Sequence, residues 1–276
     1  MLSSRLFSLI LPKVMNTREA TLASARQSYD PEFFSQLARI ETRHFWFRAR
    51  NRVIATLTEQ ITKNLPNGYR VLEVGCGTGN ILCALEQACP RGIVVGMDLF
   101  GEGLAFARTR TSCALVRGNL KQSGFGVPFD VIGAFDVVEH LSNDLQVFRS
   151  LRSMLRPAGV LLLTVPAHQS LWSYFDEASH HCPRYEPAEL RRKLNQCGYE
   201  IEFLSQFMAS IYPLLWLAVI NRQPLAGRML WRLDRGSYPR TEEDLRERVE
   251  SRFKIIHWEK SAIYYEYVFG IGVREF

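Results

Sequence analysis

The sequence lacks several features that would decide its class at once. It has no apolar run long enough to cross a bilayer, and its apolar stretch Ile211–Ile220 covers half a span at most. Its 6 cysteines include no Cys-x-x-Cys pair and fall mostly on apolar segments, which argues against a disulfide framework or a zinc site. It also shows no internal repeat and no low-complexity tract. These absences leave a globular protein with reduced cysteines, as expected in the cytoplasm.

Charge of one sign is in modest excess, and the excess lies at one end of the chain. The sequence has 34 Lys and Arg against 28 Asp and Glu, a net charge of +6. Residues 1–70 alone carry 11 basic and 5 acidic side chains. There is no Arg/Lys-rich run and no recognisable RNA-binding module, so we expect no nucleic-acid partner. A basic arm of this kind suits an anionic lipid surface or a solvated helix.

The segment from residue 69 to 88 predicts a strand, a glycine turn and a helix. Tyr69–Val74 is short, apolar and β-branched, as in a buried strand. Gly75, Gly77 and Gly79 then allow a tight turn and a close approach of the backbone to a ligand. Apolar residues continue at helical spacing from Ile81. Such a turn presents amide donors and a helix N-terminus to a polar or anionic group.

The spacing of these glycines excludes two common nucleotide-binding motifs. A dinucleotide fingerprint needs Gly-x-Gly-x-x-Gly, whereas here the third glycine follows the second by two residues. A P-loop needs Gly-Lys-Ser/Thr, which is absent. Asp98 ends the next apolar strand, 23 residues beyond Gly75, near the offset of roughly 20 at which an acidic residue reaches a ribose. Its alternative role is to cap the helix that starts near Gly101.

Further strands and helices alternate downstream. The helix predicted over Leu145–Leu155 ends before a Pro-x-Gly turn. The three strands predicted around it are Ala114–Asn119, Phe129–Asp136 and Val160–Pro166. This alternation predicts a parallel sheet with right-handed crossovers. The ligand crevice then lies at the carboxyl ends of the strands, where Gly75, Asp98 and Asp136 fall.

The run Glu73-Val-Gly-Cys-Gly-Thr-Gly79 resembles motif I of the class I S-adenosylmethionine-dependent methyltransferases, and residues 69–166 resemble that family's core. The resemblance implies an α/β fold, a Rossmann-like doubly wound sheet of seven strands that are mostly parallel, with the last antiparallel. It also implies S-adenosylmethionine as cofactor, with Asn119 near the adenine. The cofactor-binding residues that it implies are Glu73, Gly75, Cys76, Gly77, Gly79, Asp98, Leu99, Asn119 and Asp136.

The rest of the chain is divided around this core. We predict an N-terminal arm (1–30), a helical lid (31–66), the core (67–206), a helical insertion (207–258) and a closing strand (259–276). Phe45 and Trp46 belong to an aromatic run that suits a lid over the crevice or a core stripe, and both are candidates for substrate contact.

Two segments raise the question of a membrane. Residues 1–15 lack acidic side chains and resemble a transit peptide for an organelle, an interfacial anchor or a functionally idle start. Residues 207–235 combine an apolar helix with a basic amphipathic one, which suits an interfacial hairpin for peripheral membrane contact. A dimer surface and a hydrophobic lid on a lipophilic substrate are the alternatives.

The segment after the fifth strand lies over the crevice and is expected to select the acceptor. Its pattern Trp-Ser-x-x-Asp…His-x-x-Arg-Tyr resembles a bacterial branch of the family, with Pro183 in place of an expected basic residue. Transfer to a hydroxyl needs a base to remove the proton, and histidine titrates in the useful range. His181 is the first candidate and His140 the second, although a loop histidine can simply bond to the backbone. The further substrate candidates are His168, Trp172, Arg184 and Tyr185.

The sequence Asp136-x-x-Glu139-His140 resembles the acidic cluster that holds a divalent cation in the ubiquinone-biosynthesis O-methyltransferases. Mg²⁺ or Mn²⁺ would suit such ligands. Many methyltransferases carry Glu-His here without a metal, so we expect none.

We therefore predict a methyltransferase acting on a hydroxyl of a small or lipophilic acceptor. The alternatives are a protein or RNA methyltransferase and a non-catalytic membrane-surface protein that retains the fold.

Overall fold

A computed structural model describes residues 33–120, 125–172, 176–177 and 179–207, and the backbone of 267–273. These residues form one sheet with helices on both faces. The helices are α1 (Phe33–Ile40), α2 (Phe45–Thr62), α3 (Asn80–Ala88), α4 (Gly101–Ala107), α5 (Asp144–Met154) and α6 (Pro187–Gln196). The strands are β1 (Arg70–Val74), β2 (Ile93–Asp98), β3 (Ala114–Arg117), β4 (Phe129–Phe135), β5 (Leu155–Pro166), β6 (Ile201–Phe207) and β7 (Tyr267–Val273).

The sheet has the order β3-β2-β1-β4-β5-β7-β6. Strands β1 to β5 pair in parallel, and β7 is antiparallel to both β5 and β6. The chain moves outward from β1 to β3 on one side and from β4 to β5 on the other, so the direction of winding changes between β1 and β4. A crevice at the carboxyl ends of these two strands is the usual ligand site of such a sheet. The predicted Rossmann-like α/β fold is confirmed.

Both faces of the central strands are buried, because helices cover each of them. Leu161 and Leu163 of β5 pack in one apolar cluster with α5 and α6, whereas Leu162 between them packs in the other with α2 and α3. This alternation fixes the register of each strand, since a slip by one residue would exchange the two faces. The rigid sheet therefore holds the ends of its strands in fixed positions around the crevice.

The largest difference from the predicted elements lies between α5 and β5. The strand begins at Leu155, five residues before the predicted start at Val160, and Leu155 already pairs with Phe129. The next partners are Val131 and Val160, so the residues between Leu155 and Val160 bulge out of the ladder, with Ala158 at φ 61°. The proline and glycine of this segment interrupt the strand's pairing and do not separate it from the helix.

The edge strand β6 was not predicted as an element, because its half-exposed residues give little contrast between its faces. The N-terminal arm and the segment 207–235, for which we predicted membrane contact, lie outside the described residues, apart from Phe207. Within the described part of the chain, no helix is both long enough and apolar enough to span a bilayer.

Candidate active site

A cavity opens at the carboxyl ends of β1, β2 and β4, under α1 and α2. Its walls contain every residue that the sequence assigned to the cofactor except Gly79. Gly79 instead begins α3 at φ 79°, and a Cβ there would lie 2.9 Å from Ala107, so its role is in packing. The residues predicted to bind the cofactor thus lie around one cavity, and only one glycine of the motif lies outside its lining.

The glycine turn needs its first glycine for two reasons. Gly75 has φ 70°, a conformation that residues with a Cβ rarely adopt. A Cβ at Gly75 would also lie only 2.3 Å from Cγ2 of Val137. The Gly75 amide donates to the carbonyl oxygen of Met97 at 2.8 Å, which ties the turn to the end of β2. The turn thus brings bare backbone to the cavity wall.

Asp98 bonds to the glycine turn and to the start of α4, and it also lines the cavity. One carboxylate oxygen accepts from the Gly77 amide at 2.7 Å, and the other accepts from the Phe100 amide at 2.8 Å, which orders the start of α4. The side chain also lines the cavity, and each carboxylate oxygen has further lone pairs for a ligand hydroxyl. Burial raises the pKa of Asp98 to about 6, although the hydrogen bonds from Phe100 and Gly77 oppose the rise.

Glu73 presents an incompletely satisfied carboxyl group to the same cavity. It is buried, and its Oε2 has no hydrogen-bond partner among the described residues. Burial raises its pKa well above the usual range, and the Arg50 guanidinium only partly opposes this. Because a buried unpaired polar atom is costly, a cationic group of a ligand would stabilise the ionised form.

Two ion pairs fasten the lid helices to the crevice, and sequence reasoning missed both. Glu41, at the end of the lid's first helical segment, pairs with Arg110 and accepts from Thr78 Oγ1 at 2.5 Å. Arg50 of α2 pairs with Asp136 at the end of β4. The sequence signal for these ion pairs was the presence of two charged residues, Glu41 and Arg50, in a helical segment rich in aromatic residues.

The aromatic residues of the lid take different positions. Trp46 is 2 % exposed and lines the cavity, and the centroid of its ring lies 4.7 Å from the Arg50 guanidinium. Phe47 also lines the cavity. The side chain of Phe45 lies outside the described part of the structure. Trp46 is therefore both a core residue and a cavity wall, and the two predicted alternatives for the aromatic run are compatible.

Asp136 does not join the group of candidate metal ligands that the resemblance offered. Its backbone is in the left-handed region at φ 58°, its Oδ1 accepts from Thr164 Oγ1 at 2.6 Å, and its Oδ2 pairs with Arg50. The third residue beside Glu139 and His140 is His181, and ligand atoms of these three lie within 4.8 Å of one another. The grouping could hold a divalent cation, but its members differ from the predicted set.

Glu139, His140 and His181 form the second polar group on the cavity wall. Glu139 is buried, and neither of its carboxyl oxygens has a hydrogen-bond partner on another described residue. Burial, followed by the nearby Asp136 carboxylate, raises the pKa of Glu139 well above its usual range. The two imidazole rings meet edge to face with centroids 4.8 Å apart. This grouping offers a ligand a buried carboxyl group and imidazole nitrogens.

The other substrate candidates lie away from the cavity, which corrects the prediction. Arg184 is buried and paired with Asp176, and Tyr185 is fully buried with its hydroxyl donating to Asp144 at 3.1 Å. His168 lies 3.1 Å from Glu186 in a second pair. Trp172 is half-buried and lies outside the cavity lining. The polar side chains of this segment thus mainly bond to other protein side chains and stabilise its conformation.

Comparison with known proteins agrees with this geometry. A family profile described as a methyltransferase domain matches residues 45–203, which is more than half of the chain. A probable S-adenosylmethionine-dependent methyltransferase of Mycolicibacterium smegmatis is 29 % identical over 163 residues, covering 58 % of this chain and 61 % of that protein. A trans-aconitate 2-methyltransferase of Azoarcus is 30 % identical over 131 residues, covering 47 % and 49 %.

A ubiquinone biosynthesis O-methyltransferase of Aliivibrio fischeri is 29 % identical over 153 residues, covering 48 % of this chain and 64 % of that protein. The chain thus spans about half to two thirds of the length of these relatives. Among solved structures, magnesium protoporphyrin IX methyltransferase from Synechocystis aligns with a TM-score of 0.58 at 15 % identity. That alignment covers 92 % of this chain and all of the other, and it supports the fold alone.

Proposed function

The chain belongs to the methyltransferase domain family, and we propose that it is a class I enzyme that methylates a hydroxyl of a small or lipophilic acceptor. The proposal rests on one observation above all. A single cavity has the glycine turn and Asp98 in one part of its wall, and Glu139, His140 and His181 in another. The first group suits the cofactor S-adenosylmethionine, and the second suits the acceptor.

The cofactor part fits the chemical groups of S-adenosylmethionine. The bare backbone at Gly75 and Gly77 can approach the ligand closely. Asp98 retains lone pairs for ribose hydroxyls, and the carboxyl group of Glu73 suits the cationic amino group. Asn119, which the resemblance assigns to the adenine, also lines the cavity. When bound, S-adenosylmethionine supplies a methyl group on a positively charged sulfur, open to displacement in line with the leaving sulfur.

The protein's own contribution is to place the acceptor and to take its proton. A new oxygen–carbon bond forms as the sulfur–carbon bond breaks, and the electron pair of the broken bond stays on sulfur. The acceptor hydroxyl loses its proton to His181, whose ring lines the cavity next to Glu139. Excluding water and holding the two reactants in line supply the rest of the rate enhancement.

Charges on the cavity wall favour an acceptor that is not an anion. The only described lysine or arginine in the lining is Arg50, and it is already paired with Asp136. Five carboxyl groups share that lining, namely Glu41, Glu73, Asp98, Asp136 and Glu139. An acceptor that carries carboxylates, as the name trans-aconitate implies for that relative's substrate, would find no unpaired lysine or arginine among the described lining residues to balance its charge. The apolar walls of Trp46 and Phe47 suit a lipophilic molecule.

A divalent cation is the alternative occupant of the second group, because Glu139, His140 and His181 bring ligand atoms together. Such a cation would polarise the acceptor oxygen and take over the role of the base. Metal analysis of the purified protein, followed by an activity assay after dialysis against EDTA, separates the two. We expect turnover to survive the chelator.

The test of the proposal measures release of S-adenosylhomocysteine against matched sets of hydroxyl-, amine- and carboxylate-bearing compounds, bulk RNA and a protein extract. We expect turnover with hydroxyl-bearing lipophilic compounds and none with carboxylates. His181→Ala should lower turnover by about 10²–10⁴-fold while sparing cofactor affinity, as loss of a general base does. His168→Ala is the matched control, since His168 also pairs with a carboxylate but lies outside the cavity. Turnover only on RNA or protein would overturn the acceptor class.

A further inference from the structure

Asp176 is a buried carboxylate that the proposed reaction has not used. It has no exposed surface, and it accepts hydrogen bonds from two neighbours in the same loop. Arg184 donates to it twice, from Nε at 2.8 Å and from Nη2 at 3.1 Å. The Nδ1 of His181 lies 2.9 Å from the same Oδ1 that Arg184 Nε contacts. Asp176 therefore links a fixed cation to the candidate base.

The loop holds this group in place from both ends. The His181 amide donates to the carbonyl of Asp176 at 2.9 Å, and His180 between them is in the left-handed region at φ 54°, so the chain turns back sharply. Arg184 Nη1 donates to the Ala167 carbonyl at 3.1 Å, just beyond β5. The Cys182 amide donates to the Glu139 carbonyl at 2.6 Å. His181 is thereby fixed between the ends of β4 and β5.

The pairing determines where the imidazole proton resides. A carboxylate can only accept, so His181 must carry a proton on Nδ1 to bond to Asp176. In the neutral ring this makes Nε2 the nitrogen that carries the lone pair, and the His181 side chain lines the cavity. The Arg184 guanidinium balances the charge of Asp176, so the buried group of Asp176, Arg184 and neutral His181 has no net charge before the reaction.

We propose that Asp176 is a positioning residue for the methyl transfer proposed above: it holds His181 in the tautomer whose Nε2 accepts the proton of the acceptor. When that proton arrives, the imidazolium forms 2.9 Å from a carboxylate that is already in place, so no group has to reorganise around the new charge. The proton then leaves His181 for solvent after the product departs. Arg184 keeps Asp176 ionised and aligned throughout.

The first test needs no acceptor, and it uses a variant only to assign one signal. A long-range ¹H–¹⁵N spectrum of the ¹⁵N-histidine-labelled protein, dialysed against EDTA and saturated with S-adenosylhomocysteine, reports the proton position on each imidazole, and the His181→Gln spectrum assigns the His181 signal. We expect His181 to be protonated on Nδ1 and not on Nε2. The Nε2-protonated tautomer would overturn the proposal even if the protein proves to be a methyltransferase.

The second test compares two variants that each remove a carboxylate charge beside a histidine. Asp176→Asn keeps the shape but can turn an amide donor toward His181, so we expect a mixture of tautomers and a fall in kcat of about 10²–10⁴-fold. The KM for S-adenosylmethionine should stay within about twofold. Glu186→Gln is the control, because Glu186 pairs with His168 outside the cavity, and it should change neither readout.

Each outcome of the variant test bears on the proposal. An unchanged His181 signal and unchanged kcat in Asp176→Asn would overturn it. A rise in KM for the cofactor with kcat intact would show that the loop only shapes the cavity, which also contradicts it. Failure of S-adenosylmethionine to bind the unaltered protein would instead reject the proposed function. The tautomer measurement decides the matter by itself if Asp176→Asn does not fold.

Discussion

The guanidinium of Arg50, on lid helix α2, pairs with the carboxylate of Asp136 at the end of β4. The two side chains are 7 % and 19 % exposed. The other carboxylate oxygen of Asp136, Oδ1, accepts a hydrogen bond from Thr164 Oγ1 at 2.6 Å. This contact joins an N-terminal helix to the central sheet at the cavity wall. The ion pair therefore fixes α2 against the wall of the cavity.

Removing the arginine should destabilise the whole domain. Arg50→Ala leaves the Asp136 carboxylate buried without its counter-charge, and we expect a loss of up to about 3 kcal/mol in the free energy of unfolding, measured in urea. Glu189→Gln is the control, since Glu189 pairs with Lys193 one helical turn away and its side chain is 38 % exposed, and it should cost about 0.5 kcal/mol or less. Equal small losses in both variants would contradict the inferred role of the Arg50 pair.

Asp98 should contribute directly to cofactor affinity. Asp98→Ala removes a buried acceptor from the cavity wall, and we expect S-adenosylmethionine binding to weaken by roughly 1–3 kcal/mol, measured by calorimetry. Glu102→Ala, an exposed carboxylate in the first turn of α4, should leave the affinity unchanged. Unchanged affinity in Asp98→Ala would remove the ribose assignment.

The raised pKa of Asp98 predicts a pH dependence with a definite sign. Burial raises this pKa from 3.8 to about 6, so the folded protein binds the proton more tightly than the unfolded chain does. The free energy of unfolding from this group therefore falls as the pH rises from about 4 to about 6, and is constant above that.

Cofactor binding should show the opposite trend, because the ionised carboxylate is the better acceptor for ribose hydroxyls. We expect S-adenosylhomocysteine affinity to be constant above about pH 7 and to fall by up to about tenfold per pH unit below about 6. The same titration of Asp98→Ala should lack this component. A wild-type affinity that stays flat down to pH 5 would contradict the assignment.

The glycine turn should not tolerate a side chain at its first position. Gly75→Ala combines a left-handed backbone with a Cβ 2.3 Å from Val137 Cγ2, so it should lose cofactor binding and stability. Gly68→Ala is the matched control: it has φ 84° but nothing within 4 Å of its Cβ, and should cost only about 1–2 kcal/mol of backbone strain.

The second substitution Val137→Ala offers a rescue, because it removes the methyl group that the new Cβ would meet. We expect Gly75→Ala/Val137→Ala to regain part of the stability lost in Gly75→Ala, measured by thermal unfolding. No difference between the single and double variants would show that backbone strain alone accounts for the loss.

The fold and the cofactor part of the cavity were predictable because local patterns carry them. β1 (Arg70–Val74) and β4 (Phe129–Phe135) lie within one residue of their predicted bounds, since a short apolar strand has a local signal. The motif I turn likewise has a local signal, because its three glycines adopt positive φ angles that other residues rarely adopt. Such features depend on residues close together in the chain.

The acceptor part was less predictable because it is assembled from distant segments. Asp136 resembled a metal ligand beside Glu139, but its carboxylate forms an ion pair with Arg50, which lies 86 residues earlier in the chain. Arg184 looked like a substrate-contact residue, but it is buried against Asp176 in its own loop. Nothing in the local sequence distinguishes a side chain that faces a ligand from one that supports its neighbour.

The most direct test of the central claim is a calorimetric titration of the full chain with S-adenosylmethionine and S-adenosylhomocysteine, with NAD as control. We predict micromolar binding of both sulfur compounds, within the range in which enzymes hold their small ligands, and no heat of binding from NAD. The absence of binding by either sulfur compound, in protein shown to be folded by its cooperative unfolding, would contradict the assignment of the cavity to this cofactor.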